Sequence, residues 1–251
     1  MQLLKISSNN AKLSNRLIFS LPAGYTCRQA GVCKTLADRT TGKIKDLPNF
    51  DNTISPEYRC FAAMAETRPN VRDARWHNWE LLRKASRLNG VPAFNMAALI
   101  EMSLAVQPQL GLVRIHESGD FYSFDYFKAW CNVAKVNSEV IFYAYTKELS
   151  FWYQYKDHLP SNLYLTASYG GRLDYMLDDH PGVFQRIAYV VYTEEEAEAK
   201  GLEVDHDDSH CLGDKPFALV VHGSQRAGSD AQKALTKRKK EGKWTGYSTT
   251  T

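Results

Sequence analysis

Cys27, Cys33 and Cys60 follow the first apolar run of the chain, Leu17-Ile18-Phe19-Ser20-Leu21, and are the residues best suited to do chemistry. Thiolates are soft, strongly donating ligands for iron–sulfur clusters and zinc. Three such ligands would leave one metal position open for chemistry, whereas four close a structural site. The spacing, C-x5-C-x26-C, is not a standard metal signature. Three unrelated thiols, each a small buried hydrophobe, explain it as well.

Other polar clusters follow apolar runs. His116-Glu117-Ser118-Gly119-Asp120 joins a possible base or ligand to two carboxylates around a glycine that allows close backbone approach. Tyr145-Thr146-Lys147-Glu148, Ser168-Tyr169-Gly170-Gly171 and His222-Gly223-Ser224-Gln225 stand at equivalent places. Of these, His116, Tyr145 and His222 are the candidate catalytic groups, with Ser168 beside them. The last cluster precedes a helix-like stretch whose first N–H groups would favour an anion, although no P-loop pattern is present. In an extended segment His206, Asp208 and His210 would share one face and hold a divalent metal; a polar surface loop is the alternative. Arg72, Arg75 and Trp76 recur at helical spacing and would grip and stack on nucleic acid, unless the tryptophan is core and the arginines cover the surface.

These residues need elements to position them. The apolar runs at 17–21, 112–116, 140–144, 163–167, 187–192 and 217–221 read as six buried strands. Their near-continuous apolarity fits a parallel sheet covered on both faces. Helices are expected over 69–89 and 93–106, after an N-cap at Ser123, and from a T-x-x-E capping box at Thr193 and Glu196 to Gly201. Alternation of this kind predicts an α/β fold with a mostly parallel sheet of about six strands. Ligands in such folds bind at the carboxyl ends of the strands, where the polar clusters would converge. Residues 38–57 read as the longest irregular stretch.

The chain has 251 residues, 44% of them hydrophobic and 24% charged, which suits one α/β domain over 1–251 with flexible ends at 1–16 and 241–251. A net charge of +3 makes no bulk case for nucleic acid. The start of the chain does not resemble a signal peptide, and no run has the ~18 apolar residues of a membrane span. A cytoplasmic location with reduced thiols is therefore expected.

Taken together, the chain resembles the gene product eighty-eight family of phages and plasmids. The matching segments are Phe19 to Cys27, Gly31-Val32-Cys33, Arg59-Cys60-Phe61-Ala62, Val71 to Trp76, Arg114 to Ser123, Phe142 to Thr146 and His222 to Gln225. A looser likeness is to radical S-adenosylmethionine enzymes, which are partial (β/α)6 barrels with three cluster cysteines after the first strand. There the cysteines follow a compact C-x3-C-x2-C pattern; here the third is far from the second. That likeness implies a barrel-like (β/α)6 sheet and a [4Fe-4S] cluster on Cys27, Cys33 and Cys60. It further implies S-adenosylmethionine held by Glu117, Ser118, Gly119, Asp120 and Ser168.

The leading expectation is thus an iron–sulfur, radical S-adenosylmethionine-like enzyme, with a reductant and a small-molecule or nucleic-acid substrate. Two alternatives remain: a nucleic-acid-binding or hydrolytic protein with zinc or another divalent metal, and an interaction protein with structural zinc.

Overall fold

The computed structural model describes residues 2–8, 15–48, 56–109, 111–243 and 245–246. The expected flexible ends therefore fall partly outside the described residues. In chain order the elements are β1 (Leu17–Ser20), β2 (Thr35–Ala37), β3 (Ile44–Asp46), α1 (Phe61–Ala65), α2 (Pro69–Ala85), α3 (Pro92–Leu104), β4 (Leu112–Ser118), α4 (Phe124–Val136), β5 (Ile141–Thr146) and α5 (Leu149–Tyr155). There follow β6 (Leu163–Ser168), α6 (Tyr175–Asp179), β7 (Ile187–Val191), α7 (Glu194–Ala199), β8 (Phe217–Val220) and α8 (Asp230–Lys240).

Local chemistry accounts for several boundaries. Pro69 and Pro92 open α2 and α3, where a missing N–H costs nothing. The Ser123 hydroxyl accepts from Tyr126 N and caps α4, while Thr193 accepts from Glu196 N and caps α7. Part of the stretch expected to be irregular is a short antiparallel hairpin, β2 with β3. Its turn is built on Asp38, whose carboxylate accepts from the N–H groups of Thr40 and Thr41. Three-residue strands leave too little periodicity to read.

The main sheet has six strands in the order β1-β4-β5-β6-β7-β8, every neighbouring pair parallel. Sequential order means that each crossover steps in the same direction. Right-handed crossovers then put the helices on one face. The packing agrees. Leu17, Phe19, Val113, Ile115, Phe142, Ala144, Leu163, Leu165 and Ala167 form one core with residues of α2 to α6. Val191, Ala218 and Val220 pack on Ala197 of α7 on the same side. Helices therefore cover one face of the sheet, not both.

The other face carries the alternate residues. It is mixed: Ser20, Arg114, Tyr143, Tyr145, Tyr164 and Thr166 share it with Ile18, Phe217 and Leu219, and the segment 208–212 packs over β5 and β6 so that Tyr143 and Thr166 are buried. The sheet does not close into a barrel. The outer edge of β1 is taken by Ser7, paired antiparallel with Ile18, and that of β8 by the segment 203–205, through Asp205 N to Ala218 O at 2.9 Å. Both edges are thus blunted by the chain itself.

Candidate functional site

The segment after β1 crosses the carboxyl ends of its neighbours and is tied to each. Thr26 Oγ1 donates to Pro22 O at 2.8 Å and accepts from Asp120 N at 3.3 Å, which docks Cys27 on the end of β4. Val32 N donates to Gly170 O at 3.0 Å, and Glu57 N to Val32 O at 2.8 Å, which docks Cys33 on the end of β6. A Cβ on Gly31 would stand 2.7 Å from Gly170 O, so this crossing requires glycine. Cys60 lies at the N-cap of α1, next to Arg59, whose backbone is held by Gln225 beyond β8.

Residues 27, 33 and 60 are thereby gathered at one rim. Burial pushes the Cys27 thiol well above its ordinary range, and the charges of Asp120, Cys60 and Cys33 push further. Burial and then Cys33 raise Cys60 to about 11, against the pull of the Ala63 and Ala62 amides and of Arg75. Tyr58 is raised in the same way by burial and by Cys33 and Cys60. Reactive nucleophilic thiols have the opposite setting, a lowered pKa in an electropositive site. A bound metal is what turns such thiols into thiolates. Among the described residues no three of His, Cys, Asp and Glu are grouped to hold a single metal ion. The five cysteines form no disulfide; Cys131 is a core thiol, and Cys211 Sγ donates to Asp208 O at 2.7 Å.

A cavity of about 840 Å³ opens on the side of the sheet away from the main helix core. Glu117, Arg114, Tyr145, Phe61 and His222 line it, with Ile18 and Leu219 as apolar wall. A β-bulge sets this arrangement. From Ile18 to Ser20 on β1 the pairing advances from Arg114 to Ser118 on β4. His116 sits there at φ +66°. Ile115 and His116 both turn to the helix side, so Arg114 and Glu117 both reach the other side.

This corrects the role expected for His116. Its ring packs among Phe19, Phe121 and Tyr126, with Nε2 2.9 Å from Tyr126 Oη. Burial, helped by Arg114, lowers its pKa to about 3, so it is a neutral core histidine. Of the neighbouring residues expected to hold a cofactor, Glu117 alone reaches the cavity. Ser118 Oγ donates to Leu21 O at 2.8 Å, and Gly119 packs against Thr26. Asp120 is buried and accepts from Thr146 Oγ1 (2.7 Å), Phe121 N (2.8 Å) and Lys147 N (2.9 Å). Burial nevertheless raises its carboxyl to about 6. Ser168 accepts from the buried Lys147 Nζ at 3.1 Å through Oγ and at 2.8 Å through its carbonyl. Tyr145 lines the cavity with its hydroxyl buried and without a hydrogen-bond partner. His222 packs against Phe61, centroids 4.8 Å apart and ring planes tilted by 31°.

Two expected clusters come apart. Asp208 takes a left-handed backbone and begins a short 3-10 turn over Ser209–Leu212, so the segment is not extended. Asp208 turns into the sheet to pair with Arg114 (2.6 Å) and accept from Tyr143 Oη (3.1 Å). His210 faces Glu203 and Asp205, while His206 is exposed. No shared metal face exists at 206, 208 and 210. The Arg72, Arg75 and Trp76 stripe is turned inward. Arg72 donates to Glu66 O (2.7 Å) and Arg39 O (2.9 Å). Arg75 bridges Glu66 (3.0 Å) and Glu117 (2.9 Å) and is 4% exposed, so neither guanidinium is available to a phosphate. Trp76 lies between Tyr25 and Arg39. Sequence reasoning placed Lys147 and Gln225 in polar clusters without assigning them a role and did not single out Glu66, because their partners are remote in sequence.

Comparison with known proteins agrees with this extent of fold. The Gene product 88 family model matches residues 2–241. The Gene 88 proteins of Mycobacterium phages L5 and D29 are each 38% identical over 90 residues, 35% of this chain and 38% of theirs. The matched stretch thus spans well under half of those relatives. No solved structure matches. The match over nearly its whole length shows that the chain belongs to the Gene product 88 family.

Proposed function

We propose that the chain is an iron–sulfur enzyme of the radical S-adenosylmethionine type, its cluster held by Cys27, Cys33 and Cys60. The observation that carries the reading is the gathering of these three thiols at the carboxyl ends of a sequentially ordered parallel sheet, in a chain that also has a cavity of about 840 Å³ reached by Glu117 of β4 and by Phe61, next to Cys60. The donor set suits a cluster better than a lone zinc ion. One ion with Zn–S bonds of ~2.3 Å needs its ligands almost in contact. A four-iron cluster places each thiolate on a different iron and spreads them wider. Cys33 and Cys60 lie close enough to Cys27 for their charges to raise its thiol, and that proximity is what the reading draws on.

When bound, the cluster would supply one electron to cleave the sulfonium of S-adenosylmethionine. The chain's own residues do the rest. Thr26, the Gly31–Gly170 crossing and Gln225 hold the three ligands. Arg75 orients the Glu117 carboxylate toward the cavity, where it is placed to accept from an ammonium or hydroxyl group. A cavity of this size accommodates a small molecule of nucleotide dimensions.

The test is iron and acid-labile sulfide on protein purified and reconstituted without oxygen, followed by assay of S-adenosylmethionine cleavage. The reading expects about four of each per chain, and loss of both in Cys27→Ala. Zinc alone, or iron unchanged in Cys27→Ala, would overturn it.

A further inference from the structure

The segment His222-Gly223-Ser224-Gln225 follows β8 at a place where an anion site is a natural expectation, yet its most committed group faces the chain itself. Gln225 Oε1 accepts from Arg59 N at 2.6 Å. Gln225 Nε2 donates to Arg59 O at 3.2 Å and to His222 O at 3.1 Å. One carboxamide thus pairs with both backbone groups of a single residue, as a neighbouring strand would. The Arg59 side chain is anchored separately, Nε and Nη2 meeting Asp46 at 2.9 and 2.7 Å. The carbonyl of Arg59 belongs to the peptide that continues into Cys60. Fixing it fixes the peptide plane from which Cys60 departs and α1 begins.

We propose that Gln225 is the positioning residue for Cys60, setting the direction of its thiol from the far end of the sheet. The proposal rests on the reading of Cys60 as a cluster ligand, and it explains how a ligand so remote in sequence joins the other two. Cys27 and Cys33 share one segment docked on β4 and β6, whereas Cys60 comes after a hairpin and needs its own tether. An amide satisfies the pattern because it offers an acceptor and a donor on one plane. Glutamate at 225 keeps the acceptor for Arg59 N and sets a second acceptor against Arg59 O. Leucine offers neither.

The test compares wild type, Gln225→Glu and Gln225→Leu as full chains without oxygen. Alkylation of each cysteine in the metal-free protein is followed by peptide mass spectrometry, and iron uptake is measured in parallel. Cys60 alkylation is expected to rise by about tenfold in Gln225→Leu, the factor that matches loss of hydrogen bonds of ordinary strength. The rise should be smaller in Gln225→Glu, with Cys131 in the core unchanged in both. Iron retention should fall in the same order. Unchanged Cys60 reactivity, or an equal rise at Cys27, Cys33 and Cys131, would overturn the proposal. If wild type takes up no iron, the cluster reading fails, and the alkylation pattern still decides the role of Gln225. Asp46→Asn loosens only the side-chain anchor and should move Cys60 less than Gln225→Leu; a larger effect would transfer the role to Asp46.

Discussion

The two faces of the sheet are built from the same strands and obey different rules. On β5, Phe142 and Ala144 are wholly buried against helices, while Tyr143 and Tyr145 between them face Asp208, Arg114 and the cavity. On the helix side, stability depends on volume: an apolar side chain can be replaced if the space is refilled. On the other side it depends on pairing of charges, since the buried Arg114 relies on Asp208 and Arg75 on Glu66. Such a face tolerates little change, and it is where a reaction can be hosted.

The largest test of this contrast is Arg75→Ala. It leaves Glu66, itself 1% exposed, without its guanidinium, and loss of one partner of a buried pair costs about 3–5 kcal/mol. The denaturation midpoint should fall accordingly, and Glu66→Gln in the same chain should recover part of the loss. On the helix side, Phe142→Ala should cost about as much, roughly 3–5 kcal/mol, through a cavity, and Phe142→Leu far less. If Arg75→Met were tolerated as well as Phe142→Leu, the distinction between the faces would collapse.

A smaller effect is expected at Tyr143→Phe. It removes a hydroxyl that donates to Asp208 and accepts from Arg16 at 2.8 Å, a loss of about 1–2 kcal/mol by thermal or denaturant unfolding. Acid titration separates two groups of opposite sign. His116, lowered to about 3, stays neutral in the fold while the unfolded chain takes up a proton, so stability falls as pH drops from about 6.5 toward 3. Asp120, raised to about 6, is protonated in the fold before it is in the unfolded chain. Its contribution to stability is present below its unfolded value and lost as pH rises from about 3.8 through 6. Replacing His116 by Phe should flatten the acid limb of a stability–pH profile, and Asp120→Asn should remove the opposing limb.

The subtlest prediction concerns the rim. The Asp120 charge helps hold the Cys27 thiol high, so Asp120→Asn should move the pH midpoint of Cys27 alkylation downward and leave that of Cys131 in place. No movement would mean that burial alone sets the thiol.

Much of this molecule is written locally. Five-residue apolar runs, the caps at Ser123 and Thr193 and the stop at Gly201 depend on neighbours within a turn or two, and the structure has them where the sequence places them. Alternation of strand and helix also implies the parallel sheet, because crossovers have one hand. What remained hidden is long-range. Which side of α2 faces inward decides whether Arg72 and Arg75 meet a phosphate or Glu66, and that choice belongs to the packing. One bulge at His116 turns a presumed base into core and sends Glu117 to the cavity. The apparent metal face at 206–210 required an extended backbone, whereas Asp208 leaves that path to pair with Arg114. The six main strands and the capped helices are legible because they arise from short-range sterics and hydrogen bonding, whereas the β2–β3 hairpin and the single helical layer are not. The approach of Cys60 to Cys27 and Cys33 belongs to the packing, because the backbone before Cys60 is held by a contact between residues 166 positions apart.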